Sequence, residues 1–252
     1  MARFNLANWR GPIPHMNPGL MLAPLRGLVL HIQEGTEAGT DATFHDPMLI
    51  PPRSAHFGNP KVGRLDQWVD TSDMAWAEVA GNPEWISLEN EGRSGATGYA
   101  LNENQLDNAA LLLAWLNVTE GVSLTLANSP LDTGLGYHSM GGAAWGATAC
   151  PGPLIVSQRA DIVARAARLV SAPMIGSITP TSGPRGTTVV ITGSGLSFTT
   201  TVGFGLVSAA DVIVVSDTEL AATVPFGFGI APLSVTTLLG SVISPILFTF
   251  TG

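Results

Sequence analysis

At 252 residues the chain is long enough for one large domain or for two smaller ones, each burying a core of its own. Charged residues make up only 12% of it, against 29 glycines and 18 prolines; this excludes long solvated helices and charged disordered tracts and predicts a turn- and strand-rich globular protein. A net charge of −8 with eleven Lys and Arg argues against nucleic acid or an anionic membrane surface as partner, and the single cysteine, Cys150, excludes an intramolecular disulfide framework.

The first segment, "MARFNLANWRGPIPHMNPG", lacks the uninterrupted apolar core of a secretory signal, and no apolar run approaches the roughly 18 residues of a membrane span. The expectation is a soluble chain without an export signal and without membrane insertion. "LRGLVLHI" has the continuous apolar character of an interior strand and ends in His31 before a polar turn. "SAHFGNP", "GRLDQWVD" and "WISLENEG" read as short β-segments separated by Gly, Asn and Pro. Alternation in the last one predicts Glu89 and Glu91 on one side, opposite Leu88 and Asn90. "NENQLDNAALLLAWLN" is the clearest helix: Asn102 can cap it with Gln105 three residues on, and Leu106, Ala109, Ala110, Leu113 and Leu116 form one apolar face. His138 and Cys150 follow in glycine-rich loop sequence, "GLGYHSMGG" and "GATACPGP". "SQRADIVARAARLV" is a second amphipathic helix ending near Val170, so residues 1–172 read as an α/β domain, a mixed central sheet flanked by helices.

After "SAPMIGS" the character changes. There is no lysine, histidine or cysteine from Met174 onward, and short Val, Ile, Thr and Phe runs are broken by Gly, Pro and Ser every eight to twelve residues, as in an all-β sandwich spanning 173–252.

A lone histidine at a strand end is most often a hydrogen-bonded structural residue, and a lone cysteine a small core hydrophobe. Taken together, His31, His138 and Cys150 form a borderline-soft ligand set that suits Zn²⁺ in a tetrahedral site with one position left for water. The ordered motifs "VLHIQEGT", "SAHFGNPKVGRLDQWVD", "WISLENEG", "NENQLDNAALLLAWL", "GYHSMGG" and "TACPGP", from about 25 to 170, resemble the zinc-dependent N-acetylmuramoyl-L-alanine amidases. That family shares its fold with peptidoglycan recognition proteins and includes many phage endolysins.

The resemblance implies Zn²⁺ bound by His31, His138 and Cys150, Glu89 as general acid/base with Glu91 as its competitor, and Thr148 as a donor to the developing oxyanion. It implies bacterial peptidoglycan as substrate and, without an export signal, residence in the host cytoplasm until lysis or in a virion; the alternative is a non-catalytic wall-binding or virion component. Ala55 departs from the tyrosine that several members carry before "HF", which places more weight on Glu89. His56 reads as structural, and Trp68, Trp76 and Trp85 either line a groove or pack in the core. "ITPTSGPRGTTVVITGSGL", "VSDTELAATVP", "PLSVTT" and "FTFTG" resemble the IPT/TIG domain, an immunoglobulin-like sandwich that serves as binding module or as spacer; joined by the short "VSAPMIG" linker, it is expected to contact the cell wall or a virion surface, the alternative being a spacer or an oligomerisation domain.

Overall fold

A computed structural model describes residues 3–94 and 98–251; Met1, Ala2 and Gly252, at the ends of the two expected domains, lie outside it together with 95–97. The chain divides into two compact units, Met1–Ala166 and Ala167–Gly252. No helix among the described residues is long and apolar enough to cross a membrane.

The first unit carries strands β1 (Asn8–Trp9), β2 (Met16–Asn17), β3 (Gly27–Ile32), β4 (Phe57–Asn59), β5 (Asp66–Gln67), β6 (Met74–Ala75), β7 (Trp85–Asn90) and β8 (Gly134–Tyr137), with helices α1 (Glu37–Phe44), α2 (Glu103–Glu120) and α3 (Pro153–Leu169). Six strands form one mixed sheet in the order β1-β5-β4-β7-β3-β8, while β2 pairs with β6. All six residues of β3 are buried, as expected for a strand flanked by parallel neighbours on both sides. Gly27 is required there, because a Cβ would stand 1.8 Å from the Gly134 carbonyl oxygen of β8.

Helix α2 forms where the sequence predicts it. The Asn102 side chain accepts from Gln105 N–H, the Gln105 side chain accepts from Asn102 N–H, and Gly121 closes the far end in the left-handed conformation. Leu106, Ala109, Ala110, Leu113 and Leu116 are buried, as are Leu112, Ala114 and Trp115. Gln105 has a second task. It donates to the carbonyls of Asn59 and Glu91, while Asn59 donates to the Asn90 side chain and Asn90 donates to the His31 carbonyl. These fully buried amides satisfy backbone groups at the carboxyl ends of β3, β4 and β7 and fix that edge of the sheet. Helix α3 starts earlier than expected, at Pro153, and anchors β8 through buried Arg159, whose guanidinium donates to the carbonyls of Ala127 and Leu135.

Two expectations, those for Glu91 and His138, change, and the alternative left open for two tryptophans is settled. Glu91 lies beyond β7, which ends at Asn90, so the alternation stops before it; its carboxylate accepts from Lys61 N–H. Trp68 and Trp85 are core residues, Trp68 edge-on to Phe44 and Trp85 edge-on to Trp145, and line no groove. His138 directly follows a core strand rather than lying in loop sequence.

The second unit is all β. It contains β9 (Met174–Thr179), β10 (Ser182–Gly183), β11 (Thr188–Ser194), β12 (Thr199–Phe204), β13 (Val207–Ser208), β14 (Asp211–Ser216), β15 (Glu219–Thr223), β16 (Ile230–Thr237) and β17 (Gly240–Phe250). Two sheets, β10-β17-β16-β12-β13 and β14-β15-β11-β9, share a core that includes Val189, Ile191, Val202, Phe204, Leu220, Val235 and Phe248. The predicted "TVVIT" alternation sits within β11, with Val189 and Ile191 inward.

Candidate metal centre

Strands β7, β3 and β8 are adjacent and parallel, so their carboxyl ends meet on one edge of the sheet, the usual position of a site in such sheets. Glu89 is the register partner of His31 across β3 and β7, and His138 follows the Leu30–Tyr137 pair across β3 and β8. The interior strand β3 and the terminal strand β8 thus bring one histidine each to the same edge. Cys150 arrives from the segment before α3, its Sγ accepting from Ile32 N–H at 3.3 Å.

The ligand atoms of His31, His138 and Cys150 all lie within 4.8 Å of one another, with His31 Nδ1 3.9 Å from Cys150 Sγ and the two imidazole centroids 4.5 Å apart. Tetrahedral zinc with N and S ligands needs edges of about 3.5 Å, within a small side-chain adjustment of these separations. Both rings are held from behind. His31 Nε2–H donates to Glu78 Oε1 and His138 Nε2–H donates to the Trp145 carbonyl, each at 2.9 Å, which leaves both Nδ1 atoms on the inner side.

Burial keeps the imidazoles neutral: it lowers His31, and it lowers His138, with help from neighbouring His31, to about 4. It also drives the Cys150 thiol well above its ordinary value, with Glu89 adding to the shift, and raises Glu78 to about 8. Glu89 is raised as well, by burial. Neutral imidazoles, a thiol and two carboxyls that resist charging in isolation are groups that a divalent cation brings together. Among the described residues the buried Oε2 atoms of Glu78 and Glu89 have no hydrogen-bond partner, and Glu89 lies on the inner side of the His31 ring, where an ion or a substrate would meet it. The donor set therefore fits Zn²⁺.

Glu89 Oε1 stands 3.9 Å from His31 Nδ1, on the inner side of that ring. Thr148 Oγ1 accepts from Cys150 N–H at 3.1 Å, which leaves its own O–H free to donate. Thr148 and Cys150 line a cleft of about 490 Å³ with Ile32, Glu34, Ser94 and Pro151; Glu89 lines a neighbouring hollow of about 330 Å³ with Gln33, Arg53 and Arg93. All five candidates named from the sequence, His31, Glu89, His138, Thr148 and Cys150, thus gather at one edge, and Glu91 does not. His56 is buried between Ser87 and the Asp73 carbonyl, a structural place. Glu78 and the Trp145 carbonyl were missed. The one available signal was a lone acid in the apolar run "AWAEVAG", since a charge in such surroundings is rarely buried without a partner.

A family model described as N-acetylmuramoyl-L-alanine amidase (Amidase_2) matches residues 21–153. The chain belongs to that family. An IPT/TIG domain model matches residues 173–251. Among solved structures, the amidase unit is similar to AmpD (20% identity, TM-score 0.49, covering 64% of this chain and 96% of that one) and to a point mutant of PlyL (16% identity, TM-score 0.47, covering 64% and 98%). A gamma-CGTase from alkalophilic Bacillus clarkii is 37% identical over 32% of this chain and 12% of its own length, with a TM-score of 0.29. None of the curated proteins compared matches the chain.

Proposed function

We propose that this amidase is a zinc-dependent peptidoglycan hydrolase that cleaves the amide between the lactyl group of N-acetylmuramic acid and L-alanine, acting as a phage-type endolysin or virion-associated lysin. The observation that carries the reading is the meeting of His31, His138 and Cys150 with Glu89 at one sheet edge beside an open cleft, in a chain of this family. Zinc held by the three ligands would supply Lewis acidity toward the scissile carbonyl and a water whose pKa falls to about 7.

The other work falls to the chain. Glu89 takes the proton of the attacking water and delivers it to the departing amine of L-alanine. Its burial suits this exchange, because a carboxyl with raised proton affinity is closer in pKa to both partners. Thr148 donates its free O–H to the oxygen that becomes negative as the carbonyl turns tetrahedral. The buried amides Asn59, Asn90 and Gln105 hold the strand ends, so that these groups need not reorganise during the reaction.

The test is digestion of purified peptidoglycan by the zinc-loaded chain. Free L-alanine N-termini should appear without new reducing sugar ends, and Glu89→Gln should keep its zinc while turnover falls about 10²- to 10⁴-fold. New reducing ends, or neither product, would refute the assignment. Full turnover in the Glu89 variant would remove that residue from the reaction.

A further inference from the structure

Glu78 is the one fully buried carboxylate behind the ligands that the proposed reaction does not use. Its side chain is 0% exposed, and among the described residues His31 Nε2, at 2.9 Å, is the one side-chain group hydrogen-bonded to it. Oε2 has no hydrogen-bond partner among the described residues. The turn around it is held by other means: Asn82 Oδ1 accepts from the backbone N–H groups of Ala77 and Glu78. The carboxyl also takes a hydrogen bond from its own backbone N–H, but its one side-chain partner is His31, and a buried carboxyl with so few partners costs stability.

The residue after it, Val79, adopts φ +52°, a region that β-branched side chains avoid and that usually persists only where surrounding structure requires it. The same turn leads to Gly81, where a Cβ would stand 2.5 Å from the Trp145 ring, and the Trp145 carbonyl holds His138. One strained turn thus supports both imidazoles, His31 directly through Glu78 and His138 through the packing of Gly81 on Trp145.

We propose that Glu78 is a positioning residue of the metal centre: by accepting from His31 Nε2–H it fixes the tautomer and ring orientation that present Nδ1 to the metal, and its charge strengthens that ligand. The inference rests on the metal reading above and adds a residue behind the ligands to it. Carboxylate–imidazole–metal relays work in this way, the carboxylate raising the basicity of the ring nitrogen that faces the ion.

The experiment measures metal binding rather than turnover. Full-length wild type, Glu78→Gln and Glu78→Leu are titrated with zinc against a chromophoric chelator, their cobalt(II) forms are recorded in the visible region, and thermal midpoints are taken without metal. Glutamine keeps an acceptor for His31 and removes the charge; leucine removes both. Zinc affinity should fall about 10-fold in Glu78→Gln and about 100-fold in Glu78→Leu. The cobalt ligand-field bands should shift in Glu78→Leu, while the metal-free thermal midpoint of Glu78→Gln stays at wild type, since its amide oxygen still accepts from His31 Nε2–H.

Unchanged zinc affinity and an unchanged cobalt spectrum in both variants would overturn the proposal. So would a loss of affinity that only follows a lower metal-free midpoint in both, which would assign Glu78 to the fold. A wild-type chain that takes up no metal would overturn the metal centre itself and the role of Glu78 with it, whereas wild-type uptake with unaffected variants would overturn the role alone.

Discussion

The two units differ in where they keep polar groups. The amidase unit contains all five histidines and the cysteine, and it buries His31, His56, Glu78, Asn59, Asn90 and Gln105. The sandwich has four charged residues from 173 onward, Arg185, Asp211, Asp217 and Glu219, and its core cluster is wholly apolar. Buried polar groups cost stability unless they are partnered; the amidase unit buries ionisable and amide groups, while among the described residues the sandwich buries only hydroxyls, those of Ser197, Thr199, Thr237 and Ser244, each hydrogen-bonded within the unit. Ile213 and Val215 on β14, Ile243 on β17 of the other sheet, and Phe226 and Phe228 between β15 and β16 remain exposed on the sandwich.

Loss of a ligand should break this contrast most sharply. In Cys150→Ser or His138→Ala, amide hydrolysis should fall on the order of 10³-fold or more, the effect of losing several kcal/mol of Lewis-acid stabilisation. Zinc content should fall with it, while circular dichroism shows both units folded, because each has its own core. A chelator applied to wild type should reproduce the loss, and added zinc should reverse it. Retained activity in a metal-free Cys150→Ser chain would remove the metal centre from the reaction.

The groups that drive this prediction were unequally legible in the sequence. His31 was legible because its strand is continuously apolar, so a terminal histidine stood out, and α2 because its capping box and apolar face are both written in consecutive residues. β8 was not. Its sequence "GLGY" looks like loop, yet both glycines answer close approaches: Gly134 has φ +118° and would put a Cβ 2.2 Å from the Thr125 carbonyl oxygen, and Gly136 lies against Met140. Glycine chosen for packing is indistinguishable in sequence from glycine chosen for a turn. Helix α1 was hidden for the opposite reason, since Gly39, Thr40 and Thr43 give it low propensity and only the Thr36 cap and tertiary contacts hold it. Glu78 showed in sequence only as a lone acid in an apolar run, and its partner, 47 residues away, was not legible there.

Removing the sandwich should have a smaller and more selective effect. A chain ending at Ala172 keeps α3 whole and every ligand. Turnover of a soluble muropeptide should stay within about twofold, while activity on intact walls falls on the order of tenfold through lost local concentration at the insoluble substrate. Equal activity of both forms on walls would make the sandwich a spacer, and a concentration-dependent mass seen only for the full chain would make it an assembly module.

The smallest effect concerns another largely buried carboxyl of the amidase unit. Glu37 accepts from Gln33 Nε2 at 2.6 Å through Oε2, but its buried Oε1 has no hydrogen-bond partner among the described residues and packs where a Cβ on Gly58 would stand 1.8 Å away. Burial, reinforced by the nearby carboxylates of Asp66, Glu91 and Glu89, raises its pKa to about 8 from an ordinary 4.5. Below pH 4.5 the folded and unfolded chains both hold the proton and the carboxyl exacts no penalty. Between pH 4.5 and 8 the unfolded chain ionises first, so stability is lost as pH rises through that window. Glu37→Gln keeps the shape and cannot ionise. After allowance for partial solvent access and for the acidic group lost from the first turn of α1, it should stabilise the amidase unit by about 1–2 kcal/mol at pH 8, or ~3–6 °C in Tm, and by almost nothing at pH 4.5. Calorimetric Tm values across that range would decide it. A gain of equal size at both pH values would assign the effect to packing against Gly58, and would mean that this carboxyl, unlike those beside the ligands, ionises freely in the folded chain.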